Sequence, residues 1–305
     1  MEKIEKFNNI GVFFYSPYPD WVIERTYKSA CIRLNQDKDI FCQVIVNIED
    51  LNNKINNDFY NFDKVLLVSH KSFNCDEVNQ FGDNVYFYGV TTLNKNIILG
   101  FLESNGIPVT PYIYQPKDKE EIFEKLGNEV VLKPNECYSY KGHLVKEITY
   151  DNCPDNLDRW IFSKYCATSK PPFVHRRVTC LFGEPIFYFE NHNKHREYHF
   201  YNPQGSSLIP TVGDDEEPVV QVKKMRDKKT IEFSKKISTL LSNYFGCGVV
   251  GCDFVIDDED NIFLCEANTN VVAIHSAKKL EEIDNQIDCG ESIYTACIKK
   301  LGELR

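Results

Sequence analysis

Three oxygen-bearing side chains sit in segments otherwise built for burial. The stretch "GVVGCDFVIDDEDNIFLCEANTN" (248–270) places two apolar runs around an acidic turn, with Asp253 in the first run and Glu266 and Asn268 in the second. Two carboxylates and an amide carbonyl are hard oxygen donors of the kind Mg²⁺ takes, water or phosphate oxygens completing its octahedron. Read as a β-hairpin, the stretch puts Ile262, Leu264, Glu266 and Asn268 on one face, with Glu266 and Asn268 about 7 Å apart. Register decides whether Asp253 joins them. A four-residue loop, Asp258–Asn261, sets Asp253 opposite Glu266, and a loop longer by one residue turns it to the other face. From periodicity alone, the solvent face of a half-exposed strand is the favoured reading of Glu266 and Asn268. Asp257–Asp260 read as a solvated turn.

The elements that would position this hairpin follow from the apolar spacing. "IGVFFYS" (10–16) reads as a buried strand, 20–36 as a helix capped by Asp20, and 40–47, 64–70 and 84–90 as strands. Strands alternating with helices predict a small parallel α/β unit over residues 1–90. It has no G-x-G-x-x-G, so a dinucleotide fingerprint is absent. A helix is predicted from Leu93 to Asn105, stopped by Gly106 and Pro108, and a second in "KDKEEIFEKLGN", closed by Gly127. "EVVLKP", "RWIFSKYCA", "FVHRRVTCLFG" and "EPIFYFENH" read as strands, the last two a hairpin around Gly183–Glu184. Residues 212–218 read as an exposed acidic loop. Residues 222–246 read as a helix with Ile231, Ile237, Leu240, Leu241 and Tyr244 on its apolar stripe and Gly246 at its end.

Composition bounds the function. The 305 residues are 42% hydrophobic and 26% charged, an ordinary soluble globular balance. A net charge of −10 argues against nucleic-acid binding driven by the field of the whole protein. Twelve cysteines include no C-x-x-C pair, and several lie in apolar runs as small hydrophobes, which points to a reducing, cytoplasmic compartment. The N-terminus has no signal-peptide apolar region, and no run approaches membrane-span length, so no membrane is expected as partner.

The hairpin pattern, an Asp in the first strand and Glu-x-Asn in the second, resembles the metal-binding hairpin of the ATP-grasp superfamily. Two lysines upstream match the lysines that bracket nucleotide phosphates there: Lys95, opening "NKNIILGFLESNGIPVTPY", and Lys133 in "EVVLKP". An ammonium suits that task as a compact point charge. "WIFSKYCAT" is similar in position to the hinge that meets adenine, which singles out Lys164, Tyr165 and Cys166. "FVHRRVTCLFG" resembles the arginine-bearing strand, where Arg177 matches best and Arg176 points the other way. "ENHNKHREYHFYNPQGSS" resembles the substrate loop of the ligase branch, with Arg196, Asn202, Gly205 and Ser206 matching and His195 a substrate or proton contact. His192, His195 and His199 also read as a helical zinc face, a reading disfavoured because no acidic or cysteine ligand completes it. The chain departs from the pattern in three places. The loop "NECYSYKGH" (135–143) holds only Gly142 where glycines abound, Ser163 and Lys164 stand where an acidic residue is common, and "TNVVAIHS" follows Glu-x-Asn in place of Pro-Gly, drawing His275 and Ser276 toward the substrate pocket.

The resemblance covers residues 89–275. It implies an ATP-grasp fold, α/β with an α+β lid, divided into an N-terminal Rossmann-like pre-ATP-grasp domain (1–90), a central lid (91–165) and a C-terminal domain (166–305). It implies ATP with Mg²⁺, two ions, Mn²⁺ being a substitute, held by Asp253, Glu266 and Asn268. The activity implied is an ADP-forming carboxylate–amine ligase working through an acylphosphate on small-molecule or peptide substrates. A small-molecule kinase and a nucleotide-binding protein without turnover are the alternatives, and a homo-oligomer is left open.

Overall fold

The computed structural model describes residues 10–15, 28–36, 38–69, 81–87, 93–135, 146–194 and 220–269. Ile10–Tyr15 (β1) is buried at every position, which a strand covered on both faces requires. With Ile40–Ile45 (β2), Lys64–Ser69 (β3) and Val85–Phe87 (β4) it forms an all-parallel sheet in the order β2-β1-β3-β4. The helices Ser29–Leu34 (α1) and Ile48–Asn57 (α2) lie between these strands in sequence, and Asn47 caps α2 by accepting from the Asp50 amide. Phe13, Tyr15, Leu51, Phe59, Val65 and Leu67 form the core of this unit. The first predicted helix is described only over its last part, and its cap Asp20 lies outside the described residues.

The helix Lys95–Ser104 (α3) leads into an antiparallel sheet of order β5-β8-β6-β7, built from Tyr112–Tyr114 (β5), Val130–Pro134 (β6), Lys146–Ile148 (β7) and Trp160–Lys164 (β8). Lys119–Leu126 (α4), capped by Asp118 and closed by Gly127 at φ +80°, packs on it through Ile122 and Leu126. Position 127 needs the left-handed backbone that glycine adopts without strain.

The third sheet carries the hairpin. Its order is β11-β10-β9-β12-β13, all antiparallel, from Phe173–Leu181 (β9), Glu184–Asn193 (β10), Val220–Lys224 (β11), Val249–Ile256 (β12) and Ile262–Asn268 (β13). Leu181 pairs with Glu184, so the β9–β10 turn is Phe182–Gly183, one residue earlier than expected, with φ +45° and +86°. Lys228–Phe245 (α5) covers one face of the sheet. Val178, Cys180, Val250, Cys252, Phe254, Leu264 and Ala267 pack there against Ile237 and Leu241, with Ile98 and Leu102 of α3.

Two sequence expectations change here. The predicted helix 222–246 starts only at Lys228, because Asp227 caps it by accepting from the Lys229 and Thr230 amides. The residues before it pair with β10 as β11. The buried stripe is Thr230, Ser234, Ile237, Ser238 and Leu241, small residues that let the helix lie close to the sheet, while Tyr244 is 68% exposed. No helix among the described residues is long and apolar enough to cross a membrane.

Burial pushes the Asp227 carboxyl up, but the Thr230 hydroxyl, Arg176 and the two capped amides outweigh it and hold the group below the ordinary range. An aspartate with a depressed folded pKa contributes its stability in full above the unfolded value, about 3.9, and loses it as pH falls through the lower folded value. Asp227→Ala is therefore expected to cost about 1–2 kcal/mol in urea unfolding at pH 7. The gap to wild type should narrow as the pH drops below about 3.9.

Candidate active site

A bulge decides the site. β12 and β13 are joined by five residues, Asp257–Asn261, one more than the predicted loop. Asp257 organises the turn by accepting from the Glu259 and Asn261 amides at 3.0 and 2.8 Å. With Ile256 opposite Ile262 and Phe254 opposite Leu264, an unbroken ladder would set Asp253 against Cys265 and turn Glu266 toward the core. Instead the register shifts after Phe254, and Asp253 faces Glu266 with Cys265 as the extra residue. Side chains change face at that point. Ile262, Leu264 and Ala267 lie in the α5-side core, so the expectation that Ile262 and Leu264 share a face with Glu266 is corrected. Glu266 and Asn268 emerge on the opposite face, with Asp253.

Cys265 is used twice. Its thiol donates to the Asp253 carbonyl at 3.2 Å, and its own carbonyl accepts from Lys133 Nζ at 2.8 Å. Burial pushes the thiol up to about 12, so it stays protonated near neutral pH. The bulge therefore aims a carbonyl at the lysine of β6, which lies 132 residues away in sequence.

Alternation along β9 supplies the other side of the site. Val178 and Cys180 face the core, so His175, Arg177 and Thr179 face away from it, and Asp253 pairs with Arg177 in the ladder. Arg177 Nη1 lies 3.1 Å from both Asp253 oxygens, His175 Nε2 3.2 Å from Oδ1, and Asn268 Nδ2 donates to Oδ2 at 3.0 Å. Asp253 and Arg177 are only 3% and 2% exposed. Burial pushes the Asp253 carboxyl up, but Arg177, His175 and Lys133 outweigh it and hold the group charged, below the ordinary range. Arg176 points to the other face, as expected, and meets Glu190, Asp227 and Thr230.

Lys95 and Lys133 both converge on this face. Lys95 opens α3, and its ammonium lies 3.1 Å from Glu266 Oε1. Asn94 gives α3 no side-chain cap. Asn135, directly after β6, caps it instead: its backbone carbonyl accepts from the Lys95 amide and its Oδ1 from the Asn96 amide, both at 3.0 Å. One short segment, Lys133–Asn135, thus holds both lysines against β13. Lys95 and Lys133 are 8% and 7% exposed, against the solvated position usual for lysine.

The remaining candidates fall elsewhere. Lys164 ends β8 exposed, and its amide donates to Pro111. Tyr165 is buried, and Cys166 is half-buried with its thiol pushed up by burial. These three stand at the end of β8 and the start of the connection to β9. Arg196, His195, Asn202, Gly205, Ser206, His275 and Ser276 lie outside the described residues. His192 sits in strand β10, bonded to Glu190, which removes it from any helical zinc face. Sequence reasoning missed His175, Asn135 and Cys265. His175 carried a signal, standing two residues before Arg177 and so on its face. Cys265 carried none, since a bulge leaves no mark on apolar periodicity.

The donor set suits a nucleotide with a divalent cation. No three His, Cys, Asp or Glu that could hold a metal ion converge among the described residues, and the amide of Asn268 is a further oxygen donor available beside Asp253. Such a set leaves much of a magnesium octahedron to water and phosphate. Lys95, Lys133 and Arg177 bring three cationic side chains to the face that carries Asp253 and Glu266.

Comparison with known proteins bears on the fold. Neither a family model nor a curated protein matches the chain. Solved structures do. The ATP-grasp ligase PsnB complexed with a minimal precursor aligns at TM-score 0.60 and 11% identity, covering 96% of this chain and 99% of that one. The D-alanine–D-alanine ligase from Bacillus anthracis aligns at 0.52 and 14%, over 96% and 99%. The macrocyclase MdnC bound with precursor peptide MdnA, from Microcystis aeruginosa MRC, aligns at 0.57 and 10%, over 95% and 99%. The chain has the ATP-grasp fold. Within this fold, the polar strip of the third sheet is the face that Lys95 and Lys133 contact.

The Arg177–Asp253 pair can be tested apart from any activity. Arg177→Met leaves a buried carboxylate without its guanidinium and is expected to cost about 3–5 kcal/mol in denaturant unfolding. Adding Asp253→Asn should recover much of that loss. Strictly additive costs for the two substitutions would show that the pair is not coupled.

Proposed function

We propose that the chain is an ATP-dependent, ADP-forming carboxylate–amine ligase that makes an amide or peptide-like bond through an acylphosphate. One observation carries this reading: Asp253, Glu266 and Asn268 share a sheet face with Arg177, and Lys95 and Lys133 reach the same strip. The division into a Rossmann-like unit (1–90), a lid (91–165) and a C-terminal unit (166–305) belongs to this reading. The parallel sheet and the two antiparallel sheets fall within those bounds, which supports it.

In this reading Asp253, Glu266 and Asn268 hold Mg²⁺, and Lys95 and Lys133 neutralise the phosphates. Lys164, Tyr165 and Cys166 border the nucleobase. Bound ATP supplies the phosphoryl group that turns a carboxylate into a better acyl donor. A substrate carboxylate takes the γ-phosphoryl, leaving ADP. An amine then attacks the acyl carbon, phosphate departs, and the amine loses a proton. Arg177 faces the charge that develops on the transferred group, a task suited to a guanidinium fork. The protein's contribution is positioning and charge stabilisation, so no cysteine needs to act as a nucleophile. His195, Arg196, Asn202, Gly205 and Ser206 are assigned to substrate on sequence grounds. Two of the similar structures hold precursor peptides and a third protein is a D-alanine–D-alanine ligase, so peptides and amino acids both belong in the test.

The test is mass spectrometry of the protein incubated with ATP, Mg²⁺ and a pool of amino acids, short peptides and small acids. The expected result is ADP together with a product equal in mass to acid plus amine minus water. A phosphorylated product would replace this reading with a kinase. Nucleotide binding without ADP formation from any substrate class would replace it with a binding protein. Asp253→Asn should abolish ADP formation in a folded protein. Lys133→Ala should weaken ATP binding by about tenfold or more, the worth of a charge-assisted hydrogen bond.

A further inference from the structure

Two thiols that the carboxylate face does not use meet in the parallel unit. Cys31 on α1 and Cys42 on β2 are eleven residues apart in sequence, and their sulfurs lie 2.9 Å apart. Both residues are buried. One neighbour fixes them both. Asn35, directly after α1, donates its amide to the Cys31 carbonyl at 3.0 Å. Its side chain takes the backbone of Cys42: Oδ1 accepts from the Cys42 amide at 2.7 Å, and Nδ2 donates to the Cys42 carbonyl at 3.0 Å. The carboxamide thus pairs with Cys42 much as a neighbouring strand would. Cys180 and Cys252 are placed differently. Cys252 pairs with Val178 and Cys180 with Val250, so these two stand diagonally across the ladder, in the core beneath α5. A diagonal sets Cβ atoms farther apart than a disulfide spans.

We infer that Cys31 and Cys42 are a reversible disulfide site, with Asn35 as its positioning residue. Among the described residues no group of three His, Cys, Asp or Glu could hold a metal ion, and two thiols alone do not make a zinc site. The oxidant is a small-molecule disulfide such as oxidised glutathione. One cysteine, as thiolate, attacks a sulfur of that disulfide, whose S–S bond breaks as the first glutathione thiolate leaves. The thiolate of the other cysteine attacks the mixed disulfide, the protein S–S bond forms and the second glutathione leaves. The pair loses two electrons and two protons, and two glutathione thiols gain them. The sulfurs need approach by only about 0.9 Å to reach the disulfide length of about 2.05 Å. Access comes through α1, a helix of six residues with Ile32 68% exposed at its surface, where local opening costs little. The hydrogen bond with Cys31, then burial, push the Cys42 thiol up, so rising pH speeds the step that uses its thiolate. In a reducing pool the pair rests as two thiols. Oxidation joins α1 to β2, the strand at one end of the first sheet.

The test is peptide mass spectrometry of the folded full chain, equilibrated in mixtures of oxidised and reduced glutathione, quenched in acid, then denatured and alkylated. The expected product is the Cys31 and Cys42 peptides joined and two hydrogens lighter than their sum, with Cys180 and Cys252 carrying the alkyl label. Excess reduced glutathione should restore both thiols. Asn35→Ala should lower the equilibrium constant for the link about tenfold, the worth of two hydrogen bonds, and leave the labelling of Cys180 and Cys252 unchanged. Cys31 and Cys42 both alkylated even in oxidised glutathione alone would overturn the site. So would glutathione on each without a link, or links spread indiscriminately over the other cysteines. An unchanged constant in Asn35→Ala would overturn the role given to Asn35. The measurement uses neither ATP nor substrate, so its outcome is independent of the ligase reading.

Discussion

One extra residue in a β-strand sets the geometry of this molecule's polar face. Cys265 interrupts the ladder between β12 and β13, and everything assembled around Asp253 follows from that interruption. Without it, the five-residue turn would pair Asp253 with Cys265 and drive Glu266 into the apolar layer beneath α5. With it, Leu264 and Ala267 both reach the core although they are three apart, and Glu266 and Asn268 both reach the other face. The same insertion turns the Cys265 carbonyl toward Lys133, tying the second sheet to the third. A ladder irregularity of this kind costs local pairing, and strands keep bulges where a side chain must be re-aimed.

The second constraint is charge. β12 is buried at all eight positions, so a carboxylate at Asp253 sits in a strand covered on both faces. An ion there would protonate or destabilise the fold unless opposite charge and donors surround it. The neighbouring strand β9 provides them at the two positions, His175 and Arg177, whose alternation faces the same way. The apolar partners on the opposite face, Val178 and Cys252, make the hydrophobic layer continuous beneath the polar one. A single pair of strands therefore serves as core wall and as site floor, and the period of two keeps the functions apart.

Much of this was legible in the residues. The paired apolar runs around "DDED" gave the hairpin, "EVVLKP" gave a strand ending in lysine, and Lys95 proved to be the first residue of its helix, because these signals are local. The errors came where local signals compete with partners distant in sequence. Val222–Lys224 read as helix because the basic residues there continue smoothly into α5. Pairing with β10 and the Asp227 cap decide otherwise. The hairpin loop was read one residue short, and the bulge offset that error in the pairing of Asp253 while reversing the faces of Ile262 and Leu264. Asn135 stayed hidden because its function, capping a helix 39 residues earlier, exists only in three dimensions.

That cap shows how a site drawn from four strands and a helix is kept in register. Lys95 begins a helix whose own flanking residue does not cap it, so the helix start is anchored by Asn135, and Asn135 is fixed to the end of β6, where Lys133 stands. Moving β6 relative to β13 would shift both lysines together, and the Lys133–Cys265 and Lys95–Glu266 contacts would break or form as a unit. Two ammonium groups on unrelated elements are thus tied to one short segment, facing a strip of carboxylates whose spacing is set by the bulge. Neither lysine needs a tight loop of its own to be positioned. Residues 135–143 hold a single glycine, and both lysines are nevertheless anchored by the segment Lys133–Asn135.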